Sequence, residues 1–274
     1  MQHVDIGFIG AGNMARSLLG GLLAQRYPME RLWTSDPDPG QRELATALGV
    51  GHVSADNDEV VAHCAVVVVA VKPQMARQAL APLKEAVATS KPLVISIAAG
   101  IPLAALESWL GAQRIVRCMP NTPALVSQGV TAMLANAHVT DVDRVLAESI
   151  MGAVGQWLWL EQESQLDAVT ALSGSGPAYF FYFLEAMIEA GCELGLSEGD
   201  ARTLALQTAL GSSKMALQSD LAPDALRLQV TSPGGTTERA LAVLRNGGFS
   251  PLVKAAIKAA EERARELARD FGSQ

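Results

Sequence analysis

"VDIGFIGAGNMARSLLGGLLA", residues 4–24, decides the fold. Val4–Ile9 is rich in β-branched and aromatic residues and reads as a strand. A glycine turn follows, and from Asn13 to about Gln25 the apolar residues recur with a helical period. The turn, Gly10-Ala11-Gly12-Asn13-Met14-Ala15, has the spacing G-x-G-x-x-A between a strand and a helix. Gly10 permits the tight turn, Gly12 admits a pyrophosphate close to the backbone, and Ala15 lets helix and strand pack closely. The start of such a helix offers unpaired N–H groups to phosphates. Gly10, Ala11, Gly12, Asn13 and Met14 are therefore candidate dinucleotide contacts. The alternative is a tight turn that holds no ligand.

Outward from this stretch the same alternation continues. Strand-like runs occupy Leu32–Ser35, Ala65–Val71, Leu93–Ile97, Ile115–Met119, Gly129–Leu134 and Gln156–Leu160. Helical patterns fill Gln41–Leu48, Asp56–Ala62, Gln74–Val87 and Leu103–Leu110 between them. Repeated βαβ units predict an α/β domain with a mostly parallel, doubly wound sheet. Beyond Glu161 strand signals stop, and 163–172, 177–195, 198–219, 222–230, 234–246 and 250–270 read as helices. Pro177 and Pro251 suit helix starts, and Gly195 and Gly247-Gly248 suit helix ends. The expected division is 1–161 for a dinucleotide-binding α/β domain and 162–274 for an all-α domain. Ala178–Ala190 and Arg202–Leu217 are apolar on more than one face, which predicts burial against a second copy of the chain.

Composition narrows the function classes. Of 274 residues, 49% are hydrophobic and 18% charged, enough to bury a large core. The net charge of −7 and the absence of a basic cluster argue against nucleic acid and anionic membrane surfaces as partners. Cys64, Cys118 and Cys192 are scattered and form no CxxC pair, so neither a metal site nor a disulfide framework is expected. The N-terminal residues lack the pattern of a signal peptide, and AVVVVAV at 65–71 is too short to span a bilayer. A reducing cytoplasm is the expected location.

The carboxyl ends of parallel strands are where such sheets bind ligands. Asp36 ends the second strand, about 20 residues past the glycine loop, where an acidic residue accepts from the 2′-hydroxyl of NAD and repels a 2′-phosphate. Ser35 and Asn57, with Thr34, could instead help hold a phosphate, and Asp-Pro-Asp-Pro is also ordinary turn chemistry. Both NADH and NADPH stay open, with Asp36 leaning to NADH. Later strands end in Ala70-Val71-Lys72-Pro73, Ser96-Ile97-Ala98-Ala99-Gly100 and Met119-Pro120-Asn121-Thr122-Pro123. These add Ala70, Val71, Lys72, Pro73, Ala98, Ala99, Asn121 and Pro123 to the candidate cofactor groove, although each stretch also reads as loop punctuation.

Taken in order, GFIGAGNM (7–14), AVKP (70–73), SIAAG (96–100), MPNTPA (119–124), LSGSGPAY (172–179) and TSPGGTT (231–237) resemble pyrroline-5-carboxylate reductases over nearly the whole chain. The resemblance implies NAD(P)H-dependent reduction of 1-pyrroline-5-carboxylate to L-proline, the last step of proline biosynthesis. It implies a Rossmann-like domain followed by a helical dimerisation domain, with dimers commonly assembled into decamers. Thr237, by this resemblance, hydrogen-bonds the ring nitrogen of the substrate. Ser232 and Thr236 would bind its carboxylate, and Gly234 and Gly235 would let the backbone close around that group. Glu163 is a further candidate on the substrate side. Ser and Thr also cap helices for their own sake, so an N-cap is the alternative reading of the run. One departure is Leu228, where the family often has an acidic residue.

Two rivals remain. Another two-domain dehydrogenase, acting on a hydroxy or keto acid or a cyclic imine, would want a Lys or His base in the helical half. Lys214 keeps that reading open, and the helical half has no His. A dinucleotide sensor without turnover would need no second glycine-lined loop.

Overall fold

The computed structural model describes residues 3–272. In chain order its elements are β1 (Ile6–Ile9), α1 (Asn13–Ala24), β2 (Leu32–Ser35), α2 (Pro39–Leu48), β3 (His52–Ser54), α3 (Asn57–His63), β4 (Val66–Val69), α4 (Pro73–Leu80), α5 (Lys84–Ser90), β5 (Leu93–Ser96), α6 (Leu103–Leu110), β6 (Ile115–Met119), β7 (Gly129–Ala135), α7 (Asp141–Met151), β8 (Gly155–Trp159) and α8 (Gln165–Val169). The helices α9 (Gly176–Glu193), α10 (Glu198–Gln218), α11 (Pro223–Gln229), α12 (Thr236–Asn246) and α13 (Phe249–Gly272) complete the chain. The eight strands form one sheet in the order β3-β2-β1-β4-β5-β6-β7-β8. Every pair is parallel except β6 with β7, where Arg117 faces Leu134 and Met119 faces Ala132.

Strand residues alternate between two cores. Ile6, Phe8, Val66 and Val68 point into one, with Leu18, Leu19 and Leu22 of α1 and Ala147, Ile150 and Met151 of α7. Ile9, Val67 and Val69 point into the other, with residues of α3 to α6. Burial on both faces is why the central strands read as continuous apolar runs. Two details depart from the sequence reading. The three-residue strand β3, His52-Val53-Ser54, extends the sheet past β2 without any apolar run to announce it. The helix expected over Gln74–Val87 is divided into α4, a 3₁₀ turn at Ala81–Leu83 and α5. Pro82 has no N–H to continue the α-helical ladder, and its ring crowds the preceding turn.

Packing divides the chain into a sheet unit, residues up to Ser175 with Ala260 onward, and a helical unit, Gly176–Ala259. Strands stop at residue 159, but α8 stays with the sheet: Leu166 is buried beside Ala132 and Leu134. Glu163, just before α8, supplies a polar tie. Its Oε1 accepts from Arg117 Nη1 and from the Leu103 N–H, both at 2.7 Å. The second bond satisfies an N–H in the first turn of α6 that has no helical acceptor. Arg117 is 5% exposed, so this ion pair neutralises a charge held inside the sheet unit. Asp167 stands in the same cluster, with Arg117, Arg265, Glu261 and Glu163 around it. Desolvation dominates there and raises its carboxyl from its ordinary value, against the pull of the two arginines.

In the helical unit, α9 and α10 approach closely at Gly191, where an added Cβ would lie 3.0 Å from Ala201 Cβ. Ala201 and Ala205 are buried between them, yet the large apolar side chains face outward: Phe180 is 64% exposed, Tyr182 75% and Leu210 62%. This unit has alanine contacts but no large-residue core of its own. Among the described residues no helix is long and apolar enough to cross a membrane.

Adjacent glycines of α1 should respond in opposite directions to alanine. At Gly20 a Cβ meets only Leu48 Cδ1, at 3.7 Å. Gly20→Ala should therefore stabilise by about 0.5–1 kcal/mol through helix propensity. At Gly21 a Cβ would fall 2.6 Å from Val154 Cγ1 and 2.7 Å from the Ala153 carbonyl oxygen. Overpacking of about 1–3 kcal/mol should exceed the propensity gain, leaving Gly21→Ala less stable in urea unfolding. Asp167 gives a pH signature. With its folded pKa above the unfolded one, the folded state holds the proton more tightly, so stability falls as pH rises through the carboxylate range. Asp167→Asn should raise Tm at neutral pH, and the gain should shrink as pH is lowered through that range. A gain that grows on acidification would contradict this.

Candidate functional site

A groove of about 650 Å³ runs along the carboxyl ends of β1, β2 and β4. Gly10, Gly12, Asn13, Asp36, Asn57, Ala70, Val71 and Lys72 line it. Gly10 has φ +97, and a Cβ there would lie 2.9 Å from the Ala70 carbonyl oxygen, so glycine is required. At Gly12 an added Cβ meets nothing within 4 Å. It would project into open space, the property expected of backbone that a bulky ligand approaches. α1 begins here with no acidic residue in its first turn and no side-chain cap, leaving its N-terminal N–H groups to an anion. These features fit a dinucleotide.

The glycine loop is braced from the second strand. Gly10 N donates to the Ser35 carbonyl at 2.7 Å, and Ala11 N donates to Asp36 Oδ2 at 2.8 Å. The other oxygen of Asp36 accepts from Asp38 N at 2.9 Å. Each carboxylate oxygen still has a lone pair for a ribose hydroxyl. Arg42 Nη1 holds the carbonyls of Asp36 and Pro37, at 2.7 and 2.9 Å, which fixes the turn. Ser35 is fully buried and donates to Asn57 Oδ1 at 2.7 Å. It bears on the groove through Asn57, whose NH₂ group is left as the donor.

The remaining candidates from the strand ends do not line this groove. Met14 packs against the core beneath α1. Pro73 opens α4, and Ala98 and Ala99 follow β5. Pro123 lies in a 3₁₀ turn, Thr122–Val126. Asn121 is 8% exposed with both ends of its carboxamide engaged: Oδ1 accepts from Val130 N at 2.9 Å and Nδ2 donates to the Ser173 carbonyl at 3.2 Å. That side chain, just past β6, ties Ser173 to the start of β7. Sequence reasoning passed over Gln41 of α2 and Met75, Gln78 and Ala79 of α4, which complete the groove wall. The i, i+3, i+4 spacing of the last three was the available signal. Glu163 caps α6 and neutralises Arg117, both through Oε1.

The second glycine loop lies in the helical unit. Ser232-Pro233-Gly234-Gly235 is a β-turn closed by Gly235 N donating to the Ser232 carbonyl at 3.0 Å, with Gly234 at φ +73. Proline then glycine at the central positions is the type II pattern. Gly234 N donates to Glu238 Oε2 at 2.7 Å. Both glycine N–H groups therefore have internal acceptors, so the part left to these residues is to keep side chains out of the turn. The N–H groups free for an anion are those of Thr236, Thr237 and Glu238, in the first turn of α12, which has no side-chain cap. Among the described residues the hydroxyls of Ser232, Thr236 and Thr237 make no hydrogen bond within the chain, whereas Thr231 donates to the Arg227 carbonyl at 2.6 Å. Leu228, in α11, is 63% exposed.

Cys64 and Cys118 are buried thiols, Cys64 pushed up to about 12 chiefly by burial and Cys118 also raised by burial, so neither is a nucleophile. Among the described residues no group of His, Cys, Asp and Glu could hold a metal ion.

Comparison with known proteins adds to this geometry. Residues 163–267 match the family model described as pyrroline-5-carboxylate reductase dimerisation. Residues 5–100 match the model described as NADP oxidoreductase, coenzyme F420-dependent. A pyrroline-5-carboxylate reductase from Pseudomonas aeruginosa is 51% identical, with 99% of this chain and all of that one covered. The solved structure of a pyrroline-5-carboxylate reductase from Coxiella burnetii is 43% identical with a TM-score of 0.93, over 97% of this chain and 99% of that one. The pyrroline carboxylate reductase of Plasmodium falciparum, solved with NADP bound, is 32% identical with a TM-score of 0.87, over 98% and 99%.

Proposed function

The chain belongs to the pyrroline-5-carboxylate reductase family, and from that premise we propose how its residues carry out the reaction. The enzyme is an NAD(P)H-dependent oxidoreductase that reduces 1-pyrroline-5-carboxylate to L-proline, in proline biosynthesis. The observation that carries the assignment of roles is the set of unpartnered hydroxyls of Ser232, Thr236 and Thr237 at the start of α12.

When bound, NADH or NADPH supplies a hydride from C4 of its nicotinamide. The chain's own part is binding and orientation. Gly12 and Asn13 donate to the pyrophosphate at the tight turn that Gly10 makes possible, while Asp36 and Asn57 take the adenosine ribose. The free N–H groups of Thr236 and Thr237, with the Ser232 and Thr236 hydroxyls, hold the substrate carboxylate at the positive end of α12. No arginine or lysine is needed for that. The Thr237 hydroxyl bonds the ring nitrogen and fixes which face of the C=N carbon is open to hydride. Addition of hydride to carbon and of a proton to nitrogen gives the saturated ring. None of the four histidines lies in either loop, so the proton comes from water or arrives with an already protonated imine.

Asp36 favours NADH in this reading, because a carboxylate fixed beside the ribose accepts from a 2′-hydroxyl and repels a 2′-phosphate. The outward-facing aromatic and leucine side chains of α9 and α10 support self-association through the helical unit, as dimers gathered into decamers. Three free cysteines suit a cytoplasmic enzyme. Light scattering that found only monomers at micromolar concentration would overturn the assembly.

Steady-state assays of dihydronicotinamide oxidation test both loops. Oxidation should depend on added imine, with kcat/KM higher for NADH than for NADPH. Thr237→Ala should lower kcat roughly 100-fold. Asp36→Ser should shift the NADH to NADPH ratio towards NADPH by about tenfold or more. Unchanged turnover in the first variant would remove Thr237 from the chemistry, and an unchanged ratio in the second would remove Asp36 from cofactor choice.

A further inference from the structure

Arg16 lies in the first turn of α1, directly behind the glycine loop. A cation there opposes the helix dipole, and α1 has no acidic residue in that turn to compensate it. Its guanidinium is nonetheless held by three partners. Nη1 donates to the Ala11 carbonyl at 2.6 Å and to Gln41 Oε1, and Nη2 donates to Asn13 Oδ1 at 2.7 Å. Asn13 and Gln41 both line the groove, and Ala11 immediately precedes Gly12, which also lines it.

We propose that Arg16 is a positioning residue for the dinucleotide: by holding the Ala11 carbonyl and the Asn13 carboxamide oxygen, it aims the Gly12 N–H and the Asn13 NH₂ group at the pyrophosphate. Two pieces of geometry support this. In a planar trans peptide the C=O and the following N–H point in opposite directions. Drawing the Ala11 carbonyl towards Arg16 therefore turns the Gly12 N–H away from it. At Asn13 the oxygen is committed to Arg16, so only the NH₂ end, with its two donors, is left for an acceptor. Ala11 is held from its other end too, since its N–H donates to Asp36 at 2.8 Å. One residue of the loop is thus clamped between a guanidinium and the carboxylate assigned to the ribose. The planar guanidinium reaches several oxygens at once, which an ammonium cannot do.

The inference rests on the groove being the cofactor site, and the two can fail separately. Affinity for NADH and for ADP-ribose would be measured by fluorescence titration and displacement, with KM and kcat for the full reaction. Arg16→Ala should weaken both ligands roughly 10- to 100-fold, the scale of hydrogen bonds to a charged group. The KM for NADH should rise accordingly, with kcat at saturating NADH little changed. Arg16→Lys keeps the charge but not the fork and should recover only part of the affinity. Should Arg16→Ala be folded yet unstable, the lysine variant still reads the effect. Wild-type affinity in either variant, or a fall in kcat with KM unchanged, would overturn the positioning role. Gly12→Val serves as the control. If it retains wild-type NADH affinity, the groove itself is misassigned; if it loses NADH while Arg16→Ala does not, only the role of Arg16 is overturned.

Discussion

The sheet unit depends on how closely α1 lies against its neighbours. At Gly21 the helix leaves no room for a Cβ beside Val154 and the Ala153 carbonyl, and at Gly10 the turn leaves none beside Ala70. With that approach secured, Leu18, Leu19 and Leu22 reach the core shared with β1 and β4. The N-terminus of α1 then stands at the carboxyl end of the sheet. A glycine loop in that position has backbone donors and no side chains in front of them. Packing inside the unit and ligand access at its edge follow from the same lack of side-chain volume.

Hydrogen bonding refines what packing begins. Asp36 is the hinge of the arrangement, because its two oxygens join the glycine loop to the turn after β2. The shapes of the glycine loop and of the turn after β2 are consequently set together. Ser35 and Asn57 extend the same pattern one residue inward. Thr34, Ser35 and Asp36, at the end of β2, each have a hydrogen-bond partner, as a rigid polar network requires.

Most of the fold was legible in residues 4–24 and in the strand-helix alternation that follows them, because burial on both faces leaves an unmistakable apolar run in each central strand. β3 escaped notice because it is three half-buried residues with a single apolar side chain, Val53, at the edge of the sheet. The break at Pro82 was visible as a residue but not as an event, since helical periodicity continues across it. In the site, residue types announced both glycine loops. They could not announce which N–H groups were already engaged: Ala11 by Asp36, Gly234 by Glu238, Gly235 by Ser232. Those partners are fixed by backbone direction, which composition does not encode. Arg16 was unremarkable for the same reason, as its meaning lies in where its donors point.

The outward-facing aromatic and leucine side chains of α9 and α10 carry a consequence for the energetics of the whole protein. Helices that bury mainly alanine within one chain gain little from folding alone, so much of their stabilisation must come from the mating surface. Mass action then enters the folding equilibrium itself: the helical unit is firmer in a concentrated solution than in a dilute one, while the sheet unit, with two cores of its own, is indifferent to dilution. Thr237 and the turn before it sit on the concentration-dependent half. On the roles proposed for the two loops, substrate capture, unlike cofactor capture, is thereby coupled to how much of the protein is present.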